Sequence, residues 1–199
     1  MLRILLVRHG ESVGNIDDKY SGHTDDGLSD LGREQVKKVA ARLRGEQIAA
    51  VYASDLIRAY ETAAAIAAEH GLTVVKMPGL REINFGDWDG VPGAEIMQRW
   101  GEDITRWRED PMRVRAPGGE TYTEVRERFL ASLQAIAARH DAETVAVVTH
   151  GGPIAALYCE LLQKKFYECA VKNTAVCELE FGPDGLKIVS HGDASHLED

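Results

Sequence analysis

Residues 2–12 read Leu2-Arg3-Ile4-Leu5-Leu6-Val7-Arg8-His9-Gly10-Glu11-Ser12, and this stretch decides the fold. Leu2 to Val7 is apolar apart from Arg3, the pattern of a strand covered on both faces, as in a parallel sheet. It gives way to a basic residue, a histidine and a glycine. Thr144 to Thr149 (TVAVVT) repeats the arrangement, a second buried strand followed by His150-Gly151-Gly152. Ligands of α/β sheets gather beyond the carboxyl ends of strands. If these two strands are neighbours, both imidazoles meet at one sheet edge.

Outward from these anchors, strands and helices alternate. Residues 8–28, rich in Gly, Asp and Ser, predict a long functional loop. Ser29 caps a helix to Arg44 with an apolar stripe of Leu31, Val36, Val39, Ala40 and Leu43, stopped by Gly45. A short strand at residues 50–53 precedes an alanine-rich helix over 56–70, and another strand covers 72–76. Residues 80–119 hold all three tryptophans and predict a cap-like insertion with short helices. Val125, Phe129, Leu133 and Ile136 mark an amphipathic helix over 121–140. Pro153, placed at the first helical position, starts a helix to about Leu162. Residues 174–181 and 186–191 flank the turn Gly182-Pro183-Asp184-Gly185 as a hairpin. The expected fold class is α/β, a three-layer α/β/α sandwich with a mainly parallel central sheet and a small cap, one domain over residues 1–199.

The residues at the strand ends suit phosphoryl transfer, which depends on positioning and on neutralising phosphate oxygens. Arginine does this through planar, two-pronged hydrogen bonding. Arg8 sits beside the candidate nucleophile His9, Arg58 starts the helix after a strand, and His150 adds a donor. Flanking cations should lower the His9 pKa and free a nitrogen lone pair for attack. Glu82 is the candidate acid for the leaving group, with Asp87 and Asp89 as rivals on spacing alone. Glu11 reads as a local cap or pairing partner. No H-x-H, H-E-x-x-H or D-x-D-x-D pattern suggests a metal, and His70 and His140 near helix ends read as solvated.

The chain of 199 residues carries a net charge of −9, which disfavours nucleic acid or anionic membrane as main partner and requires any phosphate site to be a local basic cluster. No apolar run is long enough to span a bilayer or serve as a signal-peptide core. Cys159, Cys169 and Cys177 form no C-x-x-C pair; they read as buried free thiols of a reducing compartment, so a cytoplasmic location is expected. Trp88, Trp100 and Trp107 read first as packing within the cap.

The segment Leu6-Val7-Arg8-His9-Gly10-Glu11-Ser12 resembles the signature of the histidine phosphatase superfamily, in its phosphoglycerate mutase-like branch. The likeness runs over nearly the whole chain. Asn15 and Ser21-Gly22 resemble the family's substrate loop, residues 52–59 (YASDLIRA) its second arginine motif, and Glu82 with Phe85-Gly86-Asp87-Trp88-Asp89-Gly90 its acid motif. His150-Gly151 resembles the closing histidine. The resemblance implies His9 as nucleophile, Arg8, Arg58 and His150 as phosphate ligands, and Glu82 as proton donor. It further implies Asn15, Ser21, Gly22 and Gly151 as substrate-binding positions.

The short insertion and Pro117-Gly118-Gly119-Glu120 before a long helix resemble the phosphatases of that branch. The tail His191-Gly192-Asp193-Ala194-Ser195-His196-Leu197 is similar to the ending of its broad-specificity, α-ribazole and metal-independent phosphoserine phosphatases, which makes His196 a candidate substrate contact. His191-Gly192 and Ala194 depart from that ending. His23 and Gly152 stand where mutases carry tryptophan and asparagine. The expected activity is therefore hydrolysis of a small phosphorylated metabolite through a phosphohistidine on His9, without metal or cofactor. A phosphoglycerate mutase-type transferase and an inactive binding protein on the same fold are the alternatives. A homodimer is compatible with this reading.

Overall fold

The structure, a computed structural model, describes residues 1–183 and 185–198. The chain runs β1 (Leu2–Arg8), α1 (Val13–Ile16), α2 (Asp30–Leu43), β2 (Ile48–Ala53), α3 (Ile57–Glu69), β3 (Val74–Lys76), α4 (Gly93–Arg99), α5 (Gly101–Glu109), α6 (Tyr122–Ala137), β4 (Thr144–Thr149), α7 (Gly151–Leu161), β5 (Val176–Gly182) and β6 (Gly185–Asp193). Single 3₁₀ turns lie at Pro78–Leu80, Gly86–Trp88, Phe166–Cys169 and Ser195–Leu197.

The strands form one sheet in the order β3-β2-β4-β1-β5-β6. The first four are parallel, and β5 and β6 add an antiparallel hairpin. Side chains alternate across a strand, and β1 uses both faces. Leu2, Ile4 and Leu6 join Phe129, Leu133 and Ile136 of α6 and Ile154 and Tyr158 of α7. Leu5 and Val7 join Val39 and Leu43 of α2 and Ala63 and Ile66 of α3. Three layers result, as the alternation of elements predicts. Such burial stabilises each large aliphatic side chain by roughly 1.5–3 kcal/mol.

The helix ends follow their caps. Ser29 accepts from the Gly32 amide, and Thr121 forms a capping box with Glu124 at the start of α6. Three readings need correction. Leu31 is exposed and lies off the apolar stripe of α2. The helix α7 begins at Gly151 with His150 as its N-cap, which puts Pro153 at the third helical position. His140 is not solvated, because its Nε2 meets the Tyr52 hydroxyl at 2.8 Å and its Nδ1 meets Glu143 at 2.6 Å.

Residues 80–119 form the cap. Ile83, Phe85, Trp88, Ile96, Ile104 and Trp107 make a separate apolar cluster that rests on Tyr122 and Val125 of α6. Trp88 and Trp107 pack at 6.1 Å between ring centroids, and Trp100 packs at the edge, so the tryptophans serve cap packing. The three cysteines are buried and free. Among the described residues, no helix is long and apolar enough to cross a membrane.

Candidate active site

β1 and β4 are adjacent and parallel, with Arg8 in register with Thr149. Both strands therefore release their next residue at the same edge. The His9 amide donates to the Thr149 carbonyl at 3.0 Å, and the His9 and His150 rings stand 5.0 Å apart edge to face.

His9 is 3% exposed, and its Nδ1 lies 2.6 Å from the Gly10 carbonyl. A carbonyl only accepts, so Nδ1 carries the proton and Nε2 keeps its lone pair. Burial, followed by Arg58 and Arg8, holds this imidazole well below its usual pKa. Desolvation is thus a larger cause of the depression than the flanking cations expected from the sequence. The His150 imidazole is likewise held well below its usual pKa by burial, then Arg58. Its Nε2 pairs with Ser54 Oγ at 2.8 Å, while its Nδ1 is buried without a partner among the described residues.

Arg58 is 1% exposed and reaches the site from the first turn of α3. Its guanidinium donates to the carbonyls of Thr24, Gly22 and Ser21 at 2.9, 2.8 and 3.2 Å. Arg8 donates from one terminal nitrogen to the Val171 carbonyl at 2.6 Å, and its Nε is buried without a partner among the described residues. Unpaired buried donors are costly. Arg8 Nε and His150 Nδ1 thus mark where an anion's oxygens would be welcomed. The N-terminus of α7 opens at the same place and adds its positive dipole end.

Glu82 enters from the start of the cap. Its carboxylate accepts from the Ile83 amide at 2.9 Å and the Gly152 amide at 3.0 Å. Burial nevertheless raises its pKa, outweighing both amides and the two arginines that pull it down. The acid is therefore protonation-prone before any phosphate binds. A cavity of about 170 Å³ is lined by Arg8, Glu82, Tyr122, Gly151 and Phe166.

The structure brings Arg8, His9, Arg58, Glu82, His150 and Gly151 together. Ser21 and Gly22 lie in the loop whose carbonyls hold Arg58. Asn15 completes a capping box with Ser12, and its side-chain oxygen also accepts from Asn173 at 3.3 Å. His196 stands apart from the cavity lining, its ring held between Arg42 at 3.1 Å and Thr174 Oγ1 at 3.0 Å. Asp89, a rival for the acid, instead binds the amides of Gly22, His23 and Thr24. Glu11 accepts from Ser29 Oγ at 2.7 Å, a local role as read.

Four contributors escaped the sequence reading. Ser54 orients His150, Tyr122 walls the cavity beside Glu82, and Asn173 donates to the His9 carbonyl at 3.0 Å. Arg128 donates to the carbonyls of Gly79, Arg81 and Glu82 at 2.7–3.0 Å while paired with Glu120. Only Arg128 carried a signal, a cation on the helix that packs under the acid motif.

Residues 4–194 match the histidine phosphatase superfamily (branch 1), and the chain belongs to that family. It is 40% identical over 178 residues to phosphoserine phosphatase 1 of Hydrogenobacter thermophilus, an alignment covering 88% of this chain and 84% of the relative. It is also 40% identical over 200 residues to phosphoglycerate mutase-like protein 4 of Arabidopsis thaliana, covering 98% and 87%. Among solved structures, Bacillus stearothermophilus YhfR superposes over 100% of both chains with a TM-score of 0.93 at 29% identity. A mycobacterial glucosyl-3-phosphoglycerate phosphatase does so over 96% of this chain and 99% of its own, with a TM-score of 0.86 at 30% identity. The expected class, a phosphomonoester hydrolase acting on small phosphate esters, is borne out.

Proposed function

We propose that this enzyme hydrolyses a small phosphorylated metabolite in the cytoplasm, without a metal, through a phosphohistidine on His9. The carrying observation is the Nδ1 contact of His9 with the Gly10 carbonyl at 2.6 Å, which places the proton on Nδ1 and leaves the Nε2 lone pair free in a ring that feels both arginines. In the first step the Nε2 lone pair attacks phosphorus, forming the N–P bond as the ester P–O bond breaks. Glu82 gives its proton to the departing alkoxide. In the second step water attacks phosphorus, Glu82 takes its proton, and the N–P bond breaks to restore His9. Arg8, Arg58 and His150 stabilise the charge on the transferring oxygens.

Several observations support each part of this reading. The arginines supply the positive charge that a metal gives elsewhere. The burial of Glu82 suits an acid that must start protonated. Three buried free cysteines suit a reducing compartment. Asn15, Ser21, Gly22 and Gly151 are assigned to substrate binding on the family motifs they occupy; Gly151 lines the cavity, and the Ser21 and Gly22 carbonyls hold Arg58. His196 steadies the tail through Arg42 and Thr174.

The test is phosphate release from p-nitrophenyl phosphate, phosphoserine and 3-phosphoglycerate in EDTA, by the wild type and His9→Ala. Release that survives EDTA and disappears in the variant is expected. Isomerisation of 3-phosphoglycerate without release would replace the hydrolase with a mutase, and release that needs added metal would overturn the metal-free mechanism.

A further inference from the structure

A second, larger cavity adjoins the first. It measures about 640 Å³ and lies between the end of α5 with the turn after it, the first turns of α6, and the end of α7 with the segment that follows. Phe166 lines both cavities, which places the cleft next to the catalytic cavity across this ring. The Phe166 ring packs on Tyr122 at 4.3 Å between centroids and forms a shared apolar wall.

The cleft is basic although the whole chain carries −9. Five cations, Arg108, Arg113, Arg126, Lys164 and Lys165, line it against three acids, Glu109, Asp110 and Glu160. Arg126 is paired with Glu160 and Arg113 with Asp110. Arg108 donates to the Tyr20 hydroxyl at 3.2 Å, a neutral partner. Lys164 and Lys165 join no ion pair among the described residues. Arg108, Lys164 and Lys165 therefore face one further acid, Glu109, and the cleft keeps a net excess of two positive charges. Met112 and Cys159, whose sulfurs lie 3.9 Å apart, give the cleft an apolar side, where a polarisable chain packs and charges act through fewer waters. Charge repulsion from the rest of the surface fades over about 8 Å at physiological salt, so this local excess governs close approach.

We infer that the preferred substrates are phosphate monoesters whose leaving group carries a second anion several bonds from the scissile phosphate, held in this cleft by Arg108, Lys164 and Lys165. The inference rests on the phosphatase reading above and specifies its substrate class. A short alcohol stays within the smaller cavity and gains nothing. A longer one passes Phe166 and places its terminal carboxylate or phosphate among these cations.

Two matched esters test this, hexyl phosphate and the phosphate monoester of 6-hydroxyhexanoate, with p-nitrophenyl phosphate as reference. The wild type should favour the carboxylate ester in kcat/KM by about tenfold at low salt, the scale of a few partly exposed ion pairs. The preference should shrink in added KCl. It should vanish in the Lys164→Glu/Lys165→Glu double variant and persist in Lys37→Glu, a charge reversal on α2 remote from the cleft. Lys164 and Lys165 are exposed, so their replacement leaves the core untouched. A wild-type ratio near one, or a ratio unmoved by the double variant, overturns the inference while the phosphatase reading stands. Failure of the wild type to hydrolyse p-nitrophenyl phosphate or either ester overturns that reading, and the inference with it.

Discussion

Asp89 accepts the Gly22 amide at 3.1 Å, and this contact joins the cap to the loop that holds Arg58. The same carboxylate accepts the amides of His23 at 2.7 Å and Thr24 at 2.9 Å, and the Thr24 hydroxyl at 2.6 Å. The carbonyls of that loop in turn accept the Arg58 guanidinium. Asp89 is thus a positioning residue for a phosphate ligand it does not touch. Asp89→Ala should lower kcat by about a hundredfold, the cost of misplacing a reacting group by an ångström or so. Orthovanadate inhibition should weaken in parallel. An unchanged vanadate affinity in the folded variant would show that Asp89 serves stability alone.

Gly152 has no room for a side chain. A Cβ there would lie 2.1 Å from Glu82 Oε1 and 2.5 Å from Tyr122 Cε1. Gly152→Ala should displace the acid while the sheet and its helices persist. Turnover of esters with poor leaving groups should fall about a hundredfold or more, the scale of general-acid catalysis. Activated aryl esters, which leave without a proton, should suffer much less. Equal losses on both substrates would argue against Glu82 as the acid.

The two site histidines link stability to pH. Their folded pKa values are held well below the ordinary imidazole value by burial, with Arg58 next. The unfolded chain takes up these protons near pH 6.5 and the folded chain does not. Their contribution is full above about pH 6.5 and is lost as pH falls toward the depressed folded values. Glu82 acts oppositely. Its pKa is raised by burial, so its contribution is lost as pH rises from about 4.5 through the folded value. Urea midpoints of the wild type should fall between about pH 7.5 and pH 5.5, and those of His9→Asn should fall less. Parallel curves would refute the assignment to His9.

Ser54 fixes the orientation of His150. Nε2 meets the Ser54 hydroxyl at 2.8 Å, and in the tautomer where Nε2 accepts, Nδ1 carries the proton that donates to a phosphate oxygen. Removing one such hydrogen bond costs about 0.5–1.5 kcal/mol, so Ser54→Ala should reduce kcat/KM by up to about tenfold. His150→Ala should exceed this loss, and Ser54→Ala should add little on top of it. Full additivity in the double variant would separate the two residues.

The parts of the fold legible in the sequence are those with a simple repeat. β1 and β4 are continuous apolar runs because both their faces are covered, and β4 lies at the predicted residues. β2 begins earlier than its apolar pattern suggests, at Ile48, because an irregularity between Ile48 and Ala50 breaks the alternation. β3 keeps only Val74–Lys76, paired on one side with β2. The turn of the β5–β6 hairpin includes Asp184, outside the described residues. In the site, His9, His150 and Arg58 were readable because each follows a strand. The roles of Asp89 and Asn173 were not, because they act on main-chain groups brought close only by the folded chain. Asp89 stands within the acid motif yet meets the amides of residues 22–24, and Asn173 meets the His9 carbonyl.

The cap has its own apolar cluster, distinct from the two that sandwich the sheet. Nucleophile and anion ligands are fixed by strand ends, while the proton donor and the walls around the departing alcohol belong to the cap or face it. The two tasks of the enzyme, handling phosphorus and choosing an alcohol, thus draw on different apolar clusters, which meet where the cap rests on Tyr122 and Val125 of α6. Sequence drift in the cap can retune the chosen alcohol and leave the phosphorus chemistry intact, a modular route by which one scaffold acquires many diets.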